Sequence, residues 1–256
     1  MVCVGQACNF KCRDCSNFCP ISPKEYLRYD VQSIEDALTV LFRHVERIDL
    51  LQIQGGEPFL YTDLGRLVSF LEQHRDKVKS IDIATNGSVL PSDALMSVLR
   101  GSGTRIRISD YNVCPDKVRQ LQEKCEQFQV NHRIYPFAGN NSQWYYQGGP
   151  GFQAPADGKA LWQRYLTCAF CNCLTLERGE LSYCSRATNS YHIQSFPRKA
   201  GDFLKVEDAP GFREALRRHV LLRHPMTACQ YCRGTEACEM GPAAVQMENR
   251  EEMWAR

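Results

Sequence analysis

The residues best suited to chemistry in this chain are its cysteines, of which there are 14 among 256 residues. Cys8, Cys12 and Cys15 form a C-x3-C-x2-C triplet near the amino terminus. Three thiolates on one short loop can bind three irons of a cubane and leave the fourth iron open to a reactant. A structural zinc site takes four ligands, and Cys19 could supply a fourth thiolate. The spacing favours an iron–sulfur cluster, with zinc as the alternative.

A second group of cysteines occupies the carboxyl-terminal third. Its members are Cys168, Cys171, Cys173, Cys184, Cys229, Cys232 and Cys238. C-x2-C pairs often bind zinc, so zinc competes with iron–sulfur chemistry here as well. Disulfides belong to small secreted chains, and residues 1–6 lack the basic region and apolar run of a signal peptide. The cysteines are therefore predicted to serve metal centres.

Composition narrows the class of protein. The chain is 43% hydrophobic and 23% charged, with a net charge of +2, which fits one large domain or a domain with an appendage. No charge run indicates a nucleic acid or an anionic membrane as partner, and no apolar stretch is long enough to span a bilayer. We expect a soluble, cytoplasmic protein.

Strand and helix patterns alternate through the first two thirds of the chain. Strands are predicted at 1–4, 48–54, 81–85, 105–109 and 129–135, and helices at 33–47 (with Ser33 as N-cap), 63–74, 91–100 and 116–128. Repeated units of this length predict a parallel sheet with right-handed crossovers. Binding residues of such sheets lie at the carboxyl ends of the strands. The cysteine loop, residues 55–58, Asn86 and Ser109 all fall at those ends.

Together these features resemble the radical S-adenosylmethionine (SAM) superfamily, whose signature is the cysteine triplet. Gly55-Gly56-Glu57-Pro58 looks like the glycine motif of that family, whose backbone and Glu57 would receive the ammonium group of SAM. Asn86 and Ser109 match positions that contact the ribose and the methionine carboxylate. The resemblance covers residues 1–135 and implies a partial (β/α)6 barrel, an α/β fold, holding SAM on a [4Fe–4S] cluster.

One position departs from the family pattern. Many members carry an aromatic residue just before the third cysteine, next to the adenine, whereas this chain has Asp14. Stacking on the adenine would then fall to Phe10 or Phe18. The run Cys15-Ser16-Asn17 also resembles a branch of the family found in carbohydrate and aminocyclitol biosynthesis.

The carboxyl-terminal cysteines resemble the auxiliary-cluster extension that follows many barrels of this family. Its full form, SPASM, needs a further cysteine where this chain has Pro242, so the shorter twitch form is implied, a small iron–sulfur domain with one auxiliary [4Fe–4S] cluster. The implied ligands are Cys168, Cys184, Cys229 and Cys232, and Cys171, Cys173 and Cys238 are alternates or ligands of a second cluster. The predicted organisation is a barrel at 1–140, a linker or substrate loop at 141–165 and the twitch domain at 166–256.

The resemblance implies an enzyme in which a 5′-deoxyadenosyl radical takes a hydrogen atom from a small-molecule substrate. A single auxiliary cluster favours a dehydrogenase that oxidises a hydroxyl of a sugar or aminocyclitol to a ketone. An external donor such as flavodoxin or ferredoxin would supply electrons. The alternatives are an epimerase with Cys19 or Cys238 as hydrogen-atom donor, a peptide-modifying maturase, which would usually carry a leader-binding domain not seen before Met1, and a non-enzymatic zinc module.

Overall fold

The computed structural model describes residues 1–137, 143–148, 158–193, 198–236 and 238–254. The chain forms two compact units. The first comprises Met1–Asn9 and Leu27–Ser142, and the second comprises Phe10–Tyr26 and Gln143–Arg256. The cysteine triplet is therefore divided, because Cys8 belongs to the first unit whereas Cys12 and Cys15 belong to the second.

The first unit is built on a parallel sheet. Its strands are β1 (Val2–Cys3), β2 (Ile48–Gln54), β3 (Val78–Thr85), β4 (Arg105–Asp110) and β5 (His132–Pro136). They lie in the order β5-β4-β3-β2-β1, and every neighbouring pair is parallel. The predicted α/β class with a parallel sheet is confirmed, and the described part of this unit contains five of the six strands that the resemblance implies.

Four helices connect successive strands of this sheet. They are α1 (Val31–His44), α2 (Leu64–Glu72), α3 (Asp93–Ser102) and α4 (Pro115–Phe128). Each buries an apolar stripe at helical spacing, such as Leu64, Leu67, Val68 and Leu71 of α2. This periodicity is what makes the crossovers helical and holds them on the sheet.

Two helix starts differ from the predictions by more than one residue. Ser33 is not the N-cap of α1, because the carboxylate of Asp30 accepts from the Ser33 amide at 2.8 Å and begins the helix earlier. Likewise α3 starts after Ser92, whose hydroxyl accepts from the Leu95 amide at 3.2 Å, and not at Pro91. In both places an oxygen side chain satisfies an otherwise unpaired amide of the first turn.

A partly buried ion pair joins β3 to β4. Asp82 on β3 is 2% exposed and faces Arg105 on β4, its partner in the strand register. The guanidinium donates from Nε at 3.0 Å and from Nη2 at 2.6 Å to the two carboxylate oxygens. Around this pair the sheet is apolar, with Ile83, Ile106 and Ile108 fully buried.

The second unit combines short strands and helices. Its elements are β6 (Gln143–Tyr145), α5 (Gly158–Leu166), β7 (Leu174–Glu177), β8 (Glu180–Tyr183), α6 (Ser185–Ser190), β9 (Leu204–Lys205), α7 (Phe212–Leu221) and β10 (Met240–Pro242). β7, β8 and β9 are successive antiparallel neighbours. The β7–β8 turn has positive φ at both Arg178 and Gly179, which matches the twist of a two-residue hairpin.

The linker predicted at 141–165 contains regular structure. β6 pairs antiparallel with β10, with Trp144 opposite Gly241, and α5 begins at Gly158. The aromatic residues of β6 pair with a strand far away in sequence, which local composition could not indicate. Residues 141–142 and 149–157 of the predicted linker lie outside the described residues. No helix in the described ranges is long and apolar enough to cross a membrane.

Candidate iron–sulfur sites

The two glycines after β2 are required by the chain that follows β1. A Cβ on Gly55 would lie 2.1 Å from the Gly5 carbonyl oxygen, and one on Gly56 would lie 2.2 Å from that of Ala7. The Gly56 amide donates to Gly5 O at 2.9 Å and the Glu57 amide to Ala7 O at 2.7 Å. From the sequence, these glycines are predicted to let the main chain come close to a cofactor. In the structure, the segment that leads into the cysteine loop lies against both glycines.

Glu57 is buried at the carboxyl ends of β2 and β3. Its carboxylate accepts from the Thr85 hydroxyl at 2.7 Å, the Asn86 amide at 2.8 Å and the Phe59 amide at 3.1 Å. Burial raises its pKa to about 7, although these three hydrogen bonds oppose the shift. Glu57 therefore links the carboxyl ends of β2 and β3 through hydrogen bonds. The sequence does not indicate this role, because Thr85 belongs to no motif.

Asn86 brings Cys8 to the end of β3. Its side-chain amide lies 3.3 Å from Asn9 Oδ1 and 3.8 Å from Cys8 Sγ, and Asn9 in turn donates to the Ser88 hydroxyl at 2.7 Å. Ser109 lies buried at the end of β4, the neighbouring strand. The first unit thus gathers Cys8, Glu57 and Asn86, with Ser109 one strand away.

Cys12 and Cys15 lie in the second unit with unequal surroundings. Burial raises the pKa of Cys12 to about 12. A hydrogen bond from the Cys19 thiol lowers the pKa of Cys15 to about 7. Gln246 donates a hydrogen bond from Nε2 to Cys12 Sγ at 3.2 Å. No sequence motif indicates this residue. Cys19 therefore acts on Cys15 as a hydrogen-bond donor.

The backbone accounts for Asp14, and both aromatic candidates for the adenine contact are buried. Asp14 has a φ of 60°, a left-handed conformation that aspartate tolerates better than most residues. Phe18 is fully buried, with the Arg186 guanidinium 4.7 Å from its ring centre, so neither face is open. Phe10 is also buried, at 8% exposure. Stacking of the adenine on Phe10 or Phe18 stays a prediction.

One cavity of the second unit is lined by five thiols. They belong to Cys168, Cys171, Cys184, Cys229 and Cys232. The set includes all four ligands implied for an auxiliary cluster, and it adds Cys171 while omitting Cys173 and Cys238. α5 leads into Cys168, and the turn between β8 and α6 presents Cys184 with a φ of 67°.

The thiols of this cavity interact with one another. Burial, together with the neighbouring Cys232 and Cys168, raises the pKa of Cys184 to about 12. Burial also raises the pKa of Cys229, with added repulsion from Cys184. Four negative thiolates would repel each other in this setting unless a positively charged centre lay between them, since a metal inverts the preference for the neutral form.

Four side chains that line the same cavity carry a buried polar atom without a hydrogen-bond partner in the described part of the chain. The atoms are Tyr165 Oη, Tyr183 Oη, Arg164 Nη1 and Gln147 Nε2. Each can donate a hydrogen bond, and buried donors in native proteins are nearly always satisfied. The sulfur atoms of a cluster are acceptors that such donors commonly bond. The residues present therefore fit a [4Fe–4S] cluster.

Zinc and a cubane require different spacings of their thiolate ligands. Tetrahedral zinc with Zn–S bonds of about 2.3 Å requires sulfur atoms about 3.8 Å apart. A cubane separates its four thiolates further, because each binds a different iron.

Comparison with known proteins indicates a resemblance to one superfamily. The family model described as Radical SAM superfamily matches residues 2–110 of this chain. A GTP 3′,8-cyclase of Sulfurovum sp. (strain NBC37-1) is 35% identical over 131 residues. That match covers 48% of this chain and 37% of the cyclase, so the chain spans little more than a third of this relative.

Solved structures with similar folds include three peptide or small-molecule complexes. anSMEcpe with bound AdoMet and Cp18Cys peptide is 18% identical, with a TM-score of 0.43 over 52% of this chain and 41% of that one. Streptococcus suis SuiB bound to the precursor peptide SuiA is 21% identical, with a TM-score of 0.42 over 52% and 31%. BtrN in complex with AdoMet and 2-DOIA is 15% identical, with a TM-score of 0.48 over 98% and 95%.

Proposed function

We propose that this radical SAM protein is a dehydrogenase that oxidises a hydroxyl group of a sugar or aminocyclitol to a ketone. The observation that carries the proposal is the cavity lined by five thiols and by four donors that have no partner among the described residues. It supports one auxiliary [4Fe–4S] cluster, held by Cys168, Cys184, Cys229 and Cys232, with Cys171 as an alternate.

The residues of the first site have separate roles in this proposal. Cys8, Cys12 and Cys15 bind three irons of the SAM cluster. The carbonyl groups of Gly55 and Gly56 accept from the SAM ammonium, with Glu57 behind them as a buried carboxylate.

When bound, SAM and the two clusters supply the deoxyadenosyl radical and an acceptor for one electron. Asn86 and Ser109 orient the ribose and the carboxylate from neighbouring strand ends.

Oxidation is favoured because of the donors around the thiol cavity. A substrate carbon that has lost a hydrogen atom becomes a ketone once a proton and an electron also leave. Tyr165, Tyr183 and Arg164 can each donate a hydrogen bond toward added negative charge in the cavity. Hydrogen bonds to cluster sulfurs raise the reduction potential, which favours transfer of the electron away from the substrate.

The epimerase alternative receives less support. It needs a thiol free to return a hydrogen atom, and the Cys19 thiol donates a hydrogen bond to Cys15. Cys238 is partly exposed and donates to Thr235 O at 3.6 Å. Turnover in deuterated water distinguishes the two reactions. A product two mass units lighter than the substrate supports the dehydrogenase. Deuterium bound to carbon in the product would contradict the dehydrogenase and support the epimerase.

Metal counting tests the assignment of both sites. Anaerobically reconstituted protein should hold about eight irons and eight sulfides. The variant Cys8/Cys12/Cys15→Ala should hold about four, and so should Cys168/Cys184/Cys229/Cys232→Ala. A matched control, Cys3/Cys114/Cys125→Ala, removes three thiols outside both sites and should keep about eight. Stoichiometric zinc without sulfide in the wild-type protein would refute the proposal.

A further inference from the structure

The segment from Ala244 to Met247 pairs with the cysteine loop inside the second unit. Cys12 and Gln246 form an antiparallel bridge. On either side of it, the Arg13 amide donates to Val245 O at 2.7 Å and the Met247 amide donates to Lys11 O at 2.9 Å. The segment therefore forms a short strand against the loop, with Cys12 at its centre.

The side-chain amide of Gln246 is fixed in one orientation. Its Oε1 accepts from the Lys11 amide at 2.9 Å, and a backbone N–H can only donate. Its Nε2 donates to Ala244 O at 2.8 Å and to Cys12 Sγ at 3.2 Å. Exchanging the two ends of the amide would place donor against donor at Lys11, so the nitrogen must face the sulfur.

Packing holds the segment on the loop. Met247 is 6% exposed and forms an apolar cluster with the fully buried Phe18 and Met253. Phe18 follows Cys15 by three residues, so the same cluster anchors the end of the cysteine loop. The hydrogen bond to Cys12 is thus supported by backbone pairing and by apolar burial.

We propose that Gln246 is a positioning residue that sets the reduction potential of the SAM cluster through its hydrogen bond to Cys12. The inference rests on Cys12 being a cluster ligand, as in the proposed function. The thiolate gains negative charge when the cluster takes an electron, so an N–H donor stabilises the reduced state more than the oxidised state. Loss of the donor lowers the potential and makes the cluster harder to reduce.

The test compares Gln246→Met with Gln120→Met in the reconstituted holoenzyme. Methionine is similar in length to glutamine but donates no hydrogen bond, and Gln120 lies exposed on α4. A redox titration followed by electron paramagnetic resonance reads the signal that changes when SAM is added. We expect Q246M to lower the reduction equilibrium constant up to about tenfold, which is about 59 mV for one electron. Q120M should leave it unchanged.

A second measurement does not depend on a folded variant. Wild-type protein labelled with ¹⁵N in glutamine side chains should show a nitrogen coupling on the SAM-sensitive signal. An unchanged potential in loaded Q246M, or no glutamine coupling in the wild type, would overturn the inference. A wild type without any SAM-sensitive signal would instead refute the proposed function, so the two failures are distinct.

Discussion

Glu57 places an acid with an unusual proton affinity among the residues proposed to bind SAM. Burial raises its pKa to about 7, against a usual value of 4.5. Near neutral pH the carboxyl group is therefore protonated in a substantial share of molecules. A positively charged ligand at this site would favour the ionised form and lower that pKa.

We predict that SAM binding releases a proton through Glu57. Because the ligand prefers the ionised carboxylate, affinity should rise as pH increases from 5.5 to 7.5, and Glu57→Gln should remove most of that rise. Calorimetry in buffers of different ionisation enthalpy measures the protons released. Equal proton release in wild type and E57Q would show that Glu57 serves only to join the ends of β2 and β3.

Residue types and spacing indicated the thiols but not the groups around them. Cys168, Cys184, Cys229 and Cys232 were implied as a set by family resemblance, and they line one cavity; their role as ligands stays a prediction. Tyr165 and Tyr183 could not be chosen from the sequence, since one tyrosine on a helix or strand resembles any other. Gln246 follows Cys12 by more than 230 residues, and no local pattern links them.

At the scale of elements, the turn after β2 and the segment after β1 form one interlocked pair. The amides of Gly56 and Glu57 both donate into that segment. The Cβ positions of both glycines are occupied by its carbonyl oxygens. The turn therefore positions the entrance to the cysteine loop whether or not a ligand is bound.

Gly56→Ala should destabilise the first unit and loosen the cysteine loop. Its new methyl group would meet backbone at 2.2 Å, and backbone cannot rotate aside, so we expect a loss of about 3 kcal/mol or more in unfolding free energy. Gly101→Ala is the matched control, with open space at its Cβ inside α3, and should stabilise by up to about 1 kcal/mol. Urea unfolding of both variants measures the difference, and similar midpoints would contradict the packing argument.

The alternation of strands and helices was predictable because each element carries its own periodicity. The first residue of each helix was less predictable than the order of the elements. Asp30 and Ser33 are both good capping residues three positions apart, and only the observed bond from Ser33 N to Asp30 decides between them. The short strands β6 and β10 exist only through their mutual pairing, which local sequence does not encode.

At the scale of the whole molecule, each of the two units is formed by two separate segments of the sequence. Residues 10–26 group with the carboxyl-terminal part, although they lie between segments of the first unit. Sequence order predicts a boundary near residue 140, and that division stays a prediction. The grouping depends on contacts of high sequence separation, such as those of Phe18 with Met247 and Met253.

A chain that ends after Pro242 should lose the proposed SAM cluster and keep the proposed auxiliary cluster. It removes the strand paired with Lys11 and Arg13 and uncovers Phe18, while the five thiols of the cavity remain. We expect iron to fall from about eight to about four, with loss of the SAM-sensitive signal. A chain ending at Trp254 is the control. Retention of about eight irons after Pro242 would show that this strand is dispensable for the SAM cluster.

The wide sequence spacing of the cavity thiols has a consequence for how the protein is made. Cys168 and Cys232 lie 64 positions apart, so a shared cluster would act as a cross-link closing a long loop. By the chain-entropy relation for cross-links, closing such a loop is worth about 4 kcal/mol. A nascent chain cannot form this link until residue 232 has been synthesised. Iron supply during growth would then govern how much of the newly made protein survives proteolysis.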